Sequence, residues 1–131
     1  DTMTRYCTCG ILTELEPSDD AATANWGSGW QMPSAEQCYE LFNSSYTTTT
    51  WTTMNGVKGW KITSKSNGNS IFLPAAGYRY DTSLSNAGSY GGYWSSTPYD
   101  SDYAWSRYFY SSEVNMCVYY RCYGLSVRLV Q

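Results

Sequence analysis

The side chains best equipped for chemistry gather between residues 99 and 123 of this 131-residue chain. They are phenols, small hydroxyls, carboxylates and a thiol, with one aliphatic residue among them. A loop opened by Pro98 carries Tyr99, Asp100, Ser101, Asp102 and Tyr103. The next stretch carries Ser106, Tyr108 and Tyr110, and "CVYYRCY" carries Cys117, Val118, Tyr119, Tyr120 and Tyr123. These thirteen positions suit recognition better than catalysis. The chain has no histidine, which removes the commonest general base and the commonest metal ligand. Tyrosine, by contrast, offers a large rigid contact area with a polar tip and few torsions to freeze. Serine and aspartate add short hydrogen-bonding groups. Thirteen such residues make up roughly half of the 20–30 that one side of a standard protein interface uses. The expectation is a non-enzymatic binding surface for a protein or a glycan, with no cofactor. Asp100 and Asp102 read as solvated loop residues, because calcium requires several converging oxygens. No metal site is expected.

Tyrosine is also an ordinary strand residue, so any one of these rings could simply cover a sheet. As a group they occupy both phases of their strands, which is unlike a core. The enrichment is local: nine of the fourteen tyrosines fall between Tyr90 and Tyr123.

The rest of the composition narrows the partners. A net charge of −3, with the charges scattered, gives no basic stripe for phosphates, so nucleic acid is not expected. No apolar run approaches a membrane span, so no membrane insertion by this domain is expected. No signal peptide is evident, which fits a cytosolic, processed or excised domain. Five cysteines cannot all pair within the chain. Cys7 and Cys9 are too close to bridge comfortably, and Cys38 reads as a small core residue on a helix. Cys117 and Cys122 fall on opposite faces if their segment is a strand.

These residues need elements to hold them. "SDDAATANW" (18–26) reads as a short helix with Ser18 or Asp19 as N-cap and acids in its first turn. "PSAEQCYELFNSS" (33–45) reads as a second helix, with a Ser34/Gln37 capping box and an apolar stripe of Cys38, Leu41 and Phe42. "YTTTTWTTM" (46–54) favours a strand by β-branching. "NGVKG" and "SNGNS" mark turns around "WKITSK", "IFLP" is a short apolar strand, and "AAGYRYDTSLSNAGSYGG" reads as one long loop. Strands are expected at 93–97, 104–110, 113–119 and 125–130. In "AWSRYFY", alternation turns Trp105 and Phe109 inward and Ser106, Tyr108 and Tyr110 outward. Arg107 then falls on the inward phase and must snorkel or sit at an edge. Helices first and strands after predict a single α+β domain over residues 1–131 with a twisted, mainly antiparallel sheet.

Several strings resemble a bacterial paralogous family with a C-type-lectin-like fold, the Fibrobacter succinogenes major paralogous domain group. They are "DDAATANWGSGWQMPSAEQ", "NGVKGWKITSKSNGNSIFLPAAGYR", "GGYWSST" and "GLSVRLV". The resemblance implies two helices on a twisted sheet. Within that fold, residues 99–123 look like the variable region of a protein targeted by a diversity-generating retroelement. In such systems a reverse transcriptase miscopies template adenines, and AAC codons become codons for Tyr, Ser, Asp, Cys or Val. Each of the thirteen residues is reachable that way. Trp94, Ser95, Ser96, Trp105, Phe109, Val114, Met116, Gly124, Val127 and Leu129 look fixed, and Arg121 and Cys122 read as scaffold. The resemblance implies a receptor-binding or adhesion domain on a phage particle or bacterial cell surface. Two other readings compete. One is a fixed structural or adhesion module of a secreted bacterial protein. The other is an oxidase of the formylglycine-generating type, with Cys117 and Cys122 as soft copper ligands.

Overall fold

The computed structural model describes residues 14–131. The expectations for Cys7 and Cys9 lie outside the described residues. Two short helices precede three small antiparallel sheets, an α+β arrangement.

Helix α1 (Ala21–Trp26) starts one or two residues later than the sequence suggests. Its cap is Asp20, whose Oδ1 accepts from the Ala22 and Thr23 amides at 2.8 and 3.0 Å. The other oxygen, Oδ2, accepts from the Met32 amide at 2.9 Å. Only Asp20 can satisfy both partners, so it is buried and displaces Ser18 and Asp19 as cap, and the first turn contains no acid. Helix α2 (Ala35–Glu40) has the expected capping box: Ser34 Oγ accepts from the Gln37 amide, and Gln37 Oε1 accepts from the Ser34 amide. It is shorter than the 33–45 pattern, but Cys38 is buried and Leu41 and Phe42 pack on the core as expected.

Strands β1 (Thr47–Met54), β2 (Val57–Ser64) and β3 (Ser70–Pro74) form the first sheet in that order. The β1–β2 hairpin turns at Asn55-Gly56, both with positive φ (50° and 80°), the backbone that a two-residue hairpin demands. The segment after β3 is not a plain loop. It contains a small hairpin, β4 (Tyr78–Tyr80) with β5 (Ser83–Ser85).

The last sheet is β6 (Gly91–Pro98), β7 (Tyr103–Phe109) and β8 (Val114–Tyr120), with β7 central and β8 at an edge. Its register defines two faces. Phe109, Arg107, Trp105 and Tyr103 lie opposite Val114, Met116, Val118 and Tyr120 on one face. Tyr108 and Ser106 lie opposite Asn115 and Cys117 on the other. The first face packs on Phe42, β1 and β2 around Ile62, Leu73, Ala75, Tyr93 and Phe109.

Two expectations fail here. Arg107 neither snorkels nor sits at an edge: it is on the central strand, 7 % exposed, with its guanidinium 4.9 Å from the Phe42 ring centroid. "LSVRLV" forms no strand. It touches β6 by a parallel bridge, Tyr93 to Ser126, and then meets Gln31 through Val130. The cause is competition for the β6 edge. The Trp94 amide donates to Ser126 O, but the Ser96 amide donates to Pro33 O and Ser96 O accepts from the Leu15 amide.

Candidate binding surface

The second face of the β6–β8 sheet carries Tyr108 and Tyr119. Tyr103 and Tyr120, on the first face by register, join them at the end of the sheet through Tyr123. Tyr90, just before β6, lies on the second face and is 1 % exposed. Its ring stacks on Tyr108 at 6.0 Å and meets Tyr110 edge-on at 5.2 Å. Its hydroxyl donates to the Tyr119 hydroxyl at 2.9 Å. Tyr78, from the β4–β5 hairpin, meets Tyr90 at 5.5 Å and Tyr123 at 5.7 Å. Tyr123 then contacts Tyr80 at 4.9 Å, Tyr119 at 5.6 Å and Tyr120 at 6.5 Å, and Tyr120 meets Tyr103 at 4.3 Å. All but the closer Tyr103–Tyr120 pair lie at the separations of favourable aromatic pairs. Nine tyrosines thus form one continuous ring array, with Tyr90 as its floor.

The array takes in Tyr103, Tyr108, Tyr110, Tyr119, Tyr120 and Tyr123 from the expected set. Tyr110 and Tyr120 are exposed at 37 % and 50 %, and the other four are half-buried. Tyr78, Tyr80 and Tyr90 were missed, because they sit in a segment that reads as loop. The available signal was alternation running back from Gly92, which puts Tyr90 on the same face as Tyr108.

Other expected members are placed differently. Ser106 does not project outward. It is fully buried, and its hydroxyl donates to Cys117 O at 3.2 Å. The phase was read correctly, but Tyr90 covers that face, so a small residue must sit there. Cys117 is half-buried beside it, and Val118 lies on the opposite face with Trp105. Tyr99 also leaves the array, meeting Trp105 edge-on at 5.5 Å. The thirteen therefore do not share one face.

The 99–103 turn is held by its own residues. Asp100 Oδ1 accepts from the Asp102 and Tyr103 amides, both at 2.8 Å. Ser101 Oγ donates to Asp102 Oδ2 at 3.3 Å, and Asp102 is exposed. Arg121, read as scaffold, clamps the turn. Its Nε donates to Tyr103 O at 3.2 Å, its Nη2 donates to Asp100 O, and its amide donates to Asp102 O. Asp100 thus acts as a turn-former whose carboxylate is already engaged. Cys122 is exposed and Cys117 half-buried, both as free thiols.

Burial raises the Tyr90 hydroxyl far above the ordinary phenol range, and its bond to Tyr119 adds to this. Burial also raises Tyr119. For Tyr103, the hydrogen bond with Tyr120 is the first cause, and its phenol is pushed up to about 12. These three phenols therefore stay protonated across the physiological range and present rings and O–H groups.

No curated protein and no solved structure matches the chain. A family model does, and its span of residues 47–130 runs from the first residue of β1 almost to the C-terminus. Both three-stranded sheets and the whole tyrosine array fall inside it. The chain belongs to the family described as Domain of unknown function (DUF8237).

Proposed function

We propose that this chain is a non-enzymatic ligand-binding domain of the C-type-lectin-like type, displayed on a phage particle or bacterial surface. In this proposal residues 99–123 are the target of retroelement mutagenesis, and the bound partner is a protein or glycan. One observation carries it. Six of the seven tyrosines in the thirteen-residue set join a single ring array that rests on residues outside that set. Tyr78, Tyr80 and Tyr90 supply a floor and a flank independent of the segment's own identity. Such a platform tolerates exchange of the outer rings while the frame of Phe109, Trp94 and Val114 stays in place. Ser106 is excluded from the contacts, since a ligand cannot reach it.

The gene supplies the first test. Codons at the thirteen positions should nearly all end in C, and a near-copy of the segment with AAC at those sites should lie close by. Tyrosine codons mixed freely between TAT and TAC would remove the retroelement and leave a fixed adhesion module.

The protein supplies the second test. Tyr80, Tyr110 and Tyr120 are the most exposed members of the array, so replacing all three by Ala should abolish retention on host-cell envelopes. An interfacial hot spot contributes about 2 kcal/mol or more, while a surface substitution usually changes stability by about 0.5 kcal/mol or less. Unchanged retention, or a collapse in melting temperature, would sink the proposal. Tyr108 and Tyr119 are poorer probes, because both are half-buried as well as in contact with Tyr90.

A further inference from the structure

A polar cavity of about 380 Å³ lies between the end of α2 and the edge strand β8. Its lining includes Tyr39, Phe42, Asn43, Ser44, Arg107 and Met116. It opens on the sheet face that packs against α2, away from Tyr90, and touches the tyrosine array only through Asn115, whose Nδ2 donates to the Tyr108 hydroxyl at 3.5 Å.

Arg107 is the unusual member. It is 7 % exposed, yet its Nε has no hydrogen-bond acceptor. The described residues place no carboxylate on it. What the guanidinium has is two rings: Phe42 at 4.9 Å and the exposed Tyr39 at 5.9 Å. Cation–π contacts contribute about 0.5–2 kcal/mol each, against a desolvation cost of several kcal/mol for a buried ion. Burial accordingly lowers the Arg107 pKa, with Cys38 and Tyr39 as the nearby groups opposing that shift. A buried cation that lines a polar cavity and has no anionic partner among the described residues is suited to an anion.

We propose that this cavity binds the carboxylate of a small organic acid, gripped by Arg107. The chemistry favours carboxylate over phosphate for two reasons. Arginine's two Nη groups form an end-on fork that matches two carboxylate oxygens, whereas the Nε of Arg107 is closed to solvent. Arg107 is also the only Lys or Arg in the lining, which balances one negative charge and not two. The ring walls suit an organic body, and the volume falls in the range of roughly 300–1,000 Å³ typical of small-molecule sites. Asn43 Oδ1 already accepts from the Ser45 amide at 2.9 Å, so its NH2 is the end left to donate.

The test follows the Arg107 Nε–H resonance by NMR in the full chain during titration with acetate, benzoate, inorganic phosphate and chloride at matched ionic strength. Saturable shifts with acetate and benzoate are expected, benzoate being the tighter through Tyr39 and Phe42. Arg107→Lys keeps the charge but loses the fork, and should weaken benzoate binding strongly. Because that substitution can disturb the core, Asn43→Asp provides a second probe. It preserves the acceptor for Ser45 but adds a negative charge at the cavity, and should weaken benzoate roughly tenfold at the effective dielectric of a partly buried site. No saturation with either carboxylate, an equal response to phosphate or chloride, or benzoate affinity unchanged by Asn43→Asp would each overturn the assignment.

Discussion

Phe109→Ala is expected to lower the unfolding free energy by about 3–5 kcal/mol, the range for deleting a fully buried aromatic ring. Phe109 is 0 % exposed and joins three parts of the fold. Its ring meets Phe42 at 6.2 Å, Trp51 at 6.2 Å and Tyr93 at 5.9 Å, so its loss opens a void between the end of α2, β1 and β6 at once. Gly91 lies directly opposite in the ladder, and a Cβ there would overlap the Phe109 ring. Gly91→Ala should therefore be costly in the native background, since the ring is hemmed in and cannot yield. In the Phe109→Ala background the methyl group enters space the ring has vacated, and the same substitution should cost far less. Urea unfolding of the two single variants and the double variant measures this. Direct contacts of this kind couple by about 0.5–3 kcal/mol. Strict additivity would mean that Gly91 is glycine for some reason other than Phe109.

That pair also shows which parts of the molecule were legible from sequence. The inward turn of Phe109 follows from alternation alone, and the Ser34/Gln37 box follows from spacing. Arg107 was placed on the right phase but not at the right depth. What makes its burial tolerable is the ring of Phe42 just after α2, some 65 residues away in the chain, and no local pattern encodes that. Ser106 failed for a related reason. Alternation says which face a residue occupies, not whether that face meets water. Here the segment between β3 and β6 folds back and seats Tyr90 on the face expected to be open. "LSVRLV" alternates like a strand, yet strand pairing requires a free partner edge, and Pro33 and Leu15 already hold β6 at Ser96. The tyrosine segment was found by composition because its enrichment is local. Its floor was not, because Tyr78 and Tyr90 stand among glycines and serines that read as loop.

Raising the pH above 10 should destabilise the fold steeply, through Tyr93 and Tyr90. Tyr93 is 6 % exposed and donates its hydroxyl to Pro74 O at 2.9 Å. Burial pushes its pKa from 10.0 to about 12, although Ser126 and Arg128 pull the other way. Tyr90 is raised further by burial and by Tyr119. The sign follows from proton binding. Below pH 10 both phenols are protonated whether the chain is folded or not, and their contribution is fully present. Above it the unfolded chain releases its phenolic protons while the folded chain keeps these two, so stability falls with rising pH until the folded values are passed. For Tyr93 the interval of about two pKa units amounts to about 2–3 kcal/mol. Tyr93→Phe should be less stable than the native chain at neutral pH by about 1 kcal/mol, since it orphans the Pro74 carbonyl. It should also lose stability more slowly between pH 10 and about 12, so the deficit narrows and then reverses. Tyr90→Phe should flatten the slope over the same range and beyond it. Unfolding free energies across that range give the slopes directly, as the difference in bound protons between the two states. If both variants kept the native slope, these hydroxyls would be ionising in contact with water, and Tyr90 could not be the buried floor on which the array rests.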